Sequence, residues 1–188
     1  GGNGGSISIA GGNLVHLEST LTTNAAGGGG YAQGGYDGTV KLTTAVGNIE
    51  IASIVSYSPI ELTAPDQIIG INTGVHIRAT NLDITLNAGT GIGSSNSPLH
   101  IGNVTPPESA SLHFTNASNG VYISTVSENL TVASGSNTNG GVFLTATSAD
   151  INVHGNLAAG GAMELTANNF GVYGGATIAA GTTGTGVL

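Results

Sequence analysis

The sequence predicts a parallel β-helix with coils of about 20–24 residues, and three observations support this fold. Three units that begin at residues 121, 142 and 163 share one pattern, an alternating apolar strand and then a shorter strand. The 188 residues include 33 Gly and only 4% aromatic residues, which is unlike an ordinary globular core. No segment has apolar residues at a helical period over ten residues, so we expect essentially no helix.

The same alternation can be followed along most of the chain. The early strands fall at 7–9 with 15–17, 40–44 with 49–51, and 60–64 with 69–71. The middle strands fall at 75–79 with 82–86, then at 99–101 and 112–115. The last strands fall at 121–125 with 130–132, 142–146 with 151–153, 163–167 with 170–172, and at 177–179. Such short strands cannot bury an apolar face alone, so the coils must stack.

Stacking in register places alternate apolar residues in columns inside the coil, where each Val, Leu or Ile contributes roughly 1.5–3 kcal/mol on burial. The first predicted column is Val40, Ile60, Val75, Leu99, Val121, Val142 and Met163. The second predicted column is Leu42, Leu62, Ile77, Ile101, Ile123, Leu144 and Leu165. A third column of small residues suits a narrow corner and contains Ala64, Ala79, Ala146 and Ala167.

We interpret residues 1–188 as one solenoid segment that carries a Gly-rich protruding loop at 24–39. The chain starts at Gly1 without Met, which suggests a processed or excised segment. Strands begin near one terminus and Val187-Leu188 ends the other, without a polar cap. We therefore expect the ends to stack on copies of this chain or on flanking β-helix rungs.

Composition excludes several classes of function. Ten acidic and two basic side chains give a formal net charge of −8, which argues against binding to nucleic acid. The absence of Cys excludes disulfides, thiolate metal sites and Cys nucleophiles. No apolar run is long enough to span a bilayer, so we expect no membrane insertion.

One predicted outward column contains most of the side chains that could bind a ligand or take part in a reaction. It contains Lys41, Glu61, His76, His100, Tyr122, Phe143 and Glu164. The pair His76 and His100 could lie one above the other as a surface column and bind a metal, but without a carboxylate at ligand spacing we expect no metal site. The pair Tyr122 and Phe143 could stack on a sugar.

The sequence favours a protein that is not an enzyme and has no cofactor. The one local group of carboxylates is Glu50, Glu61, Asp66 and Asp83, which we interpret as scattered solvated charge. No Ser/His/Asp pattern stands out along the chain. The alternative is a carbohydrate-binding or carbohydrate-active β-helix of the glycan depolymerase kind.

Several segments resemble one family of proteins. They are Asn48-Ile49-Glu50-Ile51, Asp150-Ile151-Asn152-Val153 and the stretch 91–101, and they look like passengers of filamentous-haemagglutinin-like exoproteins and related giant bacterial β-strand-repeat surface proteins. The resemblance covers about residues 40–188. It implies a right-handed parallel β-helix that is exported to the bacterial surface. It also implies a non-catalytic rod or fibre segment of an adhesin or matrix filament, with a host or matrix glycan or protein as partner.

Overall fold

The computed structural model describes residues 6–23, 39–79, 83–103, 111–126 and 128–181, and within them every regular element is a β-strand. The first ten are β1 (Ile7–Gly11), β2 (Val15–Thr23), β3 (Val40–Thr44), β4 (Ile49–Ser56), β5 (Ile60–Ala64), β6 (Gln67–Gly70), β7 (Ile77–Ala79), β8 (Asp83–Ala88), β9 (Gly91–Ile92) and β10 (Leu99–Asn103). The others are β11 (Ser111–Asn116), β12 (Val121–Val126), β13 (Leu130–Asn137), β14 (Val142–Thr147), β15 (Ile151–Val153), β16 (Leu157–Ala159), β17 (Met163–Thr166), β18 (Phe170–Val172) and β19 (Ile178–Ala180).

The strands wind as a parallel β-solenoid, which confirms the predicted fold. Successive turns contribute parallel strands to two sheets that enclose one core. Sheet 1 follows the order β1-β3-β5-β8-β11-β13-β15-β18, with β16 and β19 beside it. Sheet 2 follows β10-β7-β4-β6-β9-β12-β14-β17, with β2 paired to β4. The handedness stays a prediction, and the predicted loop at 24–39 lies outside the described residues except for Thr39.

The core consists of apolar columns that run along the stack. In sheet 1 one column contains Ile7, Val40, Ile60, Ile84, Leu112, Val132, Val153 and Val172. In sheet 2 one column contains Val15, Ile49, Ile68, Ile92, Val121, Val142 and Met163. Away from the two ends these side chains are almost completely buried, so each turn is covered by the turns before and after it.

Part of the predicted column assignment was wrong. The sequence placed Val40 and Val121 in one column, but Val40 lies in sheet 1 and Val121 in sheet 2. It also aligned Leu99 with Val121, whereas Leu99 lies opposite Ile123. Each coil contributes strands to both sheets, and the strands of the two sheets have the same apolar alternation. The repeat period alone therefore does not show to which sheet a strand belongs.

The strand predicted at 69–71 was one residue out of register. Ile68, rather than Ile69, is fully buried, and Ile71 is 39% exposed. Ile68 pairs with Ile49 on one side and with Ile92 on the other. The turn before it, between Ala64 and Gln67, has only two residues, so the chain enters sheet 2 one position earlier than a nine-residue offset predicts.

A polar ladder occupies one corner of the solenoid. Asn116 and Asn137 are both 1% exposed and lie opposite one another in β11 and β13. The Asn116 Nδ2 donates to Asn137 Oδ1 at 3.2 Å, and the Asn137 Nδ2 donates to the carbonyls of Asn119 and Gly141. These bonds satisfy carbonyl groups where the chain turns from sheet 1 to sheet 2.

Candidate functional site

The two histidines that the sequence placed on the surface lie one above the other, but His76 is buried. Its ring is 0% exposed and lies over Gly70, where a Cβ atom would overlap the imidazole. The prediction that His76 points outward was therefore wrong. It precedes β7 at a corner, so His76 and Ile77 are consecutive residues that both face the interior. A period of two does not hold where the chain turns.

Hydrogen bonds occupy both nitrogens of the His76 ring. The Nε2 donates to the carbonyl of Asn72 at 2.9 Å, and the Nδ1 accepts the backbone N–H of His100 at 2.9 Å. Burial lowers the pKa of His76, the Asn72 bond opposes that effect, and the charge of His100 lowers the pKa further. A ring held neutral by these bonds has no nitrogen lone pair left for a metal.

The second histidine of the pair is only half-buried and completes a short stack. The His76 and His100 ring centroids are 5.4 Å apart, with 29° between the planes. On the far side, His100 Nδ1 lies 2.6 Å from the hydroxyl oxygen of Ser124, the residue opposite it in β12. The pair therefore links the corner before β7 to the strands β10 and β12.

Tyr122 and Phe143 lie opposite one another on the outer face of sheet 2, in β12 and β14. Their ring centroids are 4.6 Å apart and the planes differ by 4°, so the two rings stack face to face. Each ring also covers the glycine two residues earlier, Gly120 or Gly141, where a Cβ atom would clash with it. Each ring thus has one face covered by the other ring, and both residues are partly buried.

The predicted carboxylate group is divided between different places. Glu50 lies on sheet 2, where its Oε2 is 2.6 Å from His16 Nδ1. Glu61 lies on sheet 1 and forms a 2.8 Å ion pair with Lys41. The arrangement does not direct these two carboxylates at one sugar ring, as glycoside hydrolysis requires. In the part of the chain that the structure describes, no three His, Asp or Glu side chains are grouped to hold a metal ion.

One constellation was not found from the sequence. His113 in β11 has its Nδ1 2.9 Å from Ser134 Oγ and its Nε2 3.6 Å from Asp83 Oδ1. A serine, a histidine and a carboxylate thus form a row across three turns of sheet 1. The only sequence signal is that the three residues occupy outward positions of consecutive coils, and the strand register is needed to see it.

One concavity lies on the outer face of sheet 1, beside the corner after β5, with a volume of about 310 Å³. Its lining consists of Thr44, Thr63, Ala64, Pro65, Asn87, Ala88 and Thr115. Because its lining lacks ionisable and aromatic side chains, we assign no chemistry to it.

Comparison with known proteins identifies no family for this chain. No family model matches the chain, and neither the curated proteins nor the solved structures gave a match. The described residues contain no helix long and apolar enough to cross a membrane. The function must therefore be argued from the structure itself.

Proposed function

We propose that this chain is a structural segment of an extracellular β-solenoid rod, as in a bacterial surface adhesin or matrix filament, whose terminal rungs stack on further β-solenoid rungs. The observation that carries the proposal is the burial of equivalent residues along the stack. Ile151 and Val153 are 0% exposed, whereas Phe170 and Val172, which follow them in the same columns, are 41% and 48% exposed. One more rung would bury the latter two.

The charge distribution supports this proposal. No Lys, Arg, Asp or Glu follows Glu164, and none precedes Glu18. Charged side chains on edge strands are a common means of preventing edge-to-edge pairing. Glu18 and Glu164 lie in the end strands β2 and β17 of sheet 2, whereas the end strands β1, β18 and β19 of sheet 1 carry no charged side chain. An incoming parallel strand therefore meets apolar columns without charge repulsion at the two ends of sheet 1.

The partner that fits such an end is another β-solenoid rung, from a flanking stretch of polypeptide or from a second copy. All strands run parallel, so the two ends of the stack differ and copies associate head to tail. A head-to-tail contact does not close on itself unless a rotation completes a ring, and it therefore produces a filament. A host or matrix glycan or protein is the expected partner along the flank.

A pair of matched variants tests the stacking. Val172→Lys places a charge on the exposed end column, and Val126→Lys places the same charge on the flank, where Val126 is 60% exposed. Light scattering and electron microscopy of the 188-residue chain should show end-to-end association that Val172→Lys reduces and Val126→Lys leaves intact. A particle that stays monomeric at high concentration, or equal effects of both variants, would contradict the proposal.

The stacked rings on sheet 2 support a second candidate, a carbohydrate-binding rod. Tyr122 and Phe143 are partly buried aromatic residues on the outer face, and Glu164 lies opposite Phe143. A glycan array read against Phe143→Ala separates the two candidates. Binding that disappears in the variant favours carbohydrate recognition, and the absence of binding by the parent chain favours the structural rod.

A further inference from the structure

The row Ser134, His113 and Asp83 lies on the outer face of sheet 1, away from the two ends where further rungs would stack. We propose that Ser134 is a nucleophile that His113 activates, and that it accepts acyl groups from small uncharged esters with good leaving groups. This inference goes beyond the proposed function, because it concerns the outer face of the rod rather than its ends.

The geometry assigns a role to each of the three residues. Ser134 lies directly opposite His113 in the β11–β13 register, and its Oγ is 2.9 Å from His113 Nδ1. Asp83 Oδ1 is 3.6 Å from the other ring nitrogen, Nε2. A proton on Nε2 faces the carboxylate, so Nδ1 is left to accept the serine proton. The His113 side chain is 35% exposed, which leaves the row open to a ligand from solvent.

The regular ladder is interrupted at this point. Ala133 is an extra residue in β13, because Leu112 pairs with Val132 whereas His113 pairs with Ser134. In the next turn two short strands, β15 and β16, pair with β13 in place of one long strand. The connection between them, residues 154–156, lies opposite the bulge. Gly155 approaches the Ala133 carbonyl so closely that a Cβ atom would overlap it. Bulges of this kind are frequent beside active sites, because they redirect a side chain.

The chemistry is a balanced acyl transfer. The Ser134 oxygen attacks the ester carbonyl while His113 Nδ1 takes the hydroxyl proton, and the imidazolium then returns that proton to the departing alkoxide or phenoxide. The products are an acyl-serine and an alcohol or phenol. Water adds to the acyl-serine by the reverse of these proton transfers and releases a carboxylic acid. Asp83 acts through His113 as a positioning residue, since it stabilises the imidazolium.

The surroundings indicate the class of substrate. The site lies on the outer face of a sheet, so it would discriminate weakly between acyl groups and bind them weakly. The chain carries a formal net charge of −8, which disfavours anionic esters. Uncharged aryl esters of short acids fit both features.

The experiment uses the full 188-residue chain with 4-nitrophenyl acetate and with an uncharged fluorophosphonate probe, followed by mass spectrometry to locate the label. We expect label on Ser134 and none there after Ser134→Ala. His113→Ala should slow labelling roughly 100-fold, the scale of general-base catalysis. Asp83→Asn should slow labelling less than His113→Ala does, because the carboxylate acts through the ring.

The matched control is Ser136→Ala, two residues along the same strand and opposite Thr115, which should label at the parent rate. Added imidazole should restore labelling of His113→Ala, which a purely structural histidine would not permit. Thermal unfolding of each variant separates loss of reactivity from loss of fold. Label spread evenly over surface serines, or a rate unaffected by His113→Ala in a folded protein, would overturn the proposal.

Discussion

Leu144 in β14 and Val172 in β18 both occupy inward positions of short strands, yet their environments differ. Leu144 is 0% exposed, and Val172 is 48% exposed. Leu144 is covered by Ile123 in the turn before it and by Leu165 in the turn after it. Val172 is covered by Val153 on one side. The same alternation therefore buries a side chain only where a rung is present on both sides.

This comparison indicates that stability is unevenly distributed along the solenoid. In a stack of repeats, each unit contributes its own stability and that of its contacts with the two neighbours. The turns around β14 have both contacts, and the last turn has one among the described residues. Substitutions in the two regions should consequently have different costs, even where the residue types match.

The largest effect is expected for a charge placed in the middle of the core. Leu144→Asp would bury an unpaired carboxylate and should cost at least about 4 kcal/mol of unfolding free energy. Thr145→Asp, at the next residue and on the outer face, should change the unfolding free energy by less than about 1 kcal/mol. Urea unfolding measures both, and equal damage would mean that the alternation of β14 is wrong.

A smaller difference should separate two truncations within one column. Ile151 is 0% exposed and lies opposite Phe170, which is 41% exposed. Ile151→Ala should cost about 2–5 kcal/mol, because it leaves a cavity between two rungs. Phe170→Ala should cost only about 1 kcal/mol in the monomer, because the ring already contacts solvent. Similar costs in dilute solution would show that the last turn is covered.

Acid should weaken the turn that contains His76. Burial lowers the pKa of this ring in the folded chain, so the unfolded chain takes up the proton first as the pH falls. The contribution of His76 is complete above the unfolded pKa of about 6.5 and is lost as the pH falls below that value. His76→Gln should flatten the dependence of the unfolding free energy on pH between pH 7.5 and 5.5, which urea unfolding at each pH measures. Identical pH profiles for the variant and the parent chain would refute this assignment.

The smallest effect is expected from the rings on the outer face. Phe143→Ala removes the stack with Tyr122 and should cost about 1 kcal/mol. A double-mutant cycle with Tyr122→Ala should give a coupling free energy of about 0.5–1.5 kcal/mol. A coupling near zero would mean that the rings are stacked without stabilising the sheet.

The fold could be predicted because short-range and long-range signals agree. Alternation in single strands and a repeat of the whole pattern both require stacked coils. The contact between Tyr122 and Phe143 followed from the same logic, since both occupy the same outward position of consecutive units. Where the repeat period is regular, the spacing of two residues in the sequence predicts whether they lie opposite each other in adjacent turns.

The rest could not be predicted because the period breaks at corners and bulges. His76 faces the interior at a corner, and Ile68 is displaced by a two-residue turn. Ser134 comes opposite His113 only because Ala133 is an extra residue. Corner geometry and bulge position depend on contacts with neighbouring turns, which a single sequence does not specify.

The central claim is that each rung depends on a rung at either side, and amide hydrogen exchange of the dilute chain tests it most directly. We expect slow exchange for the amides of β14 and fast exchange for those of β18, because local opening requires less energy at an uncovered end. Raising the protein concentration should protect β18 as copies stack and leave β14 unchanged. Equal protection of β14 and β18 in dilute solution, independent of concentration, would contradict the claim.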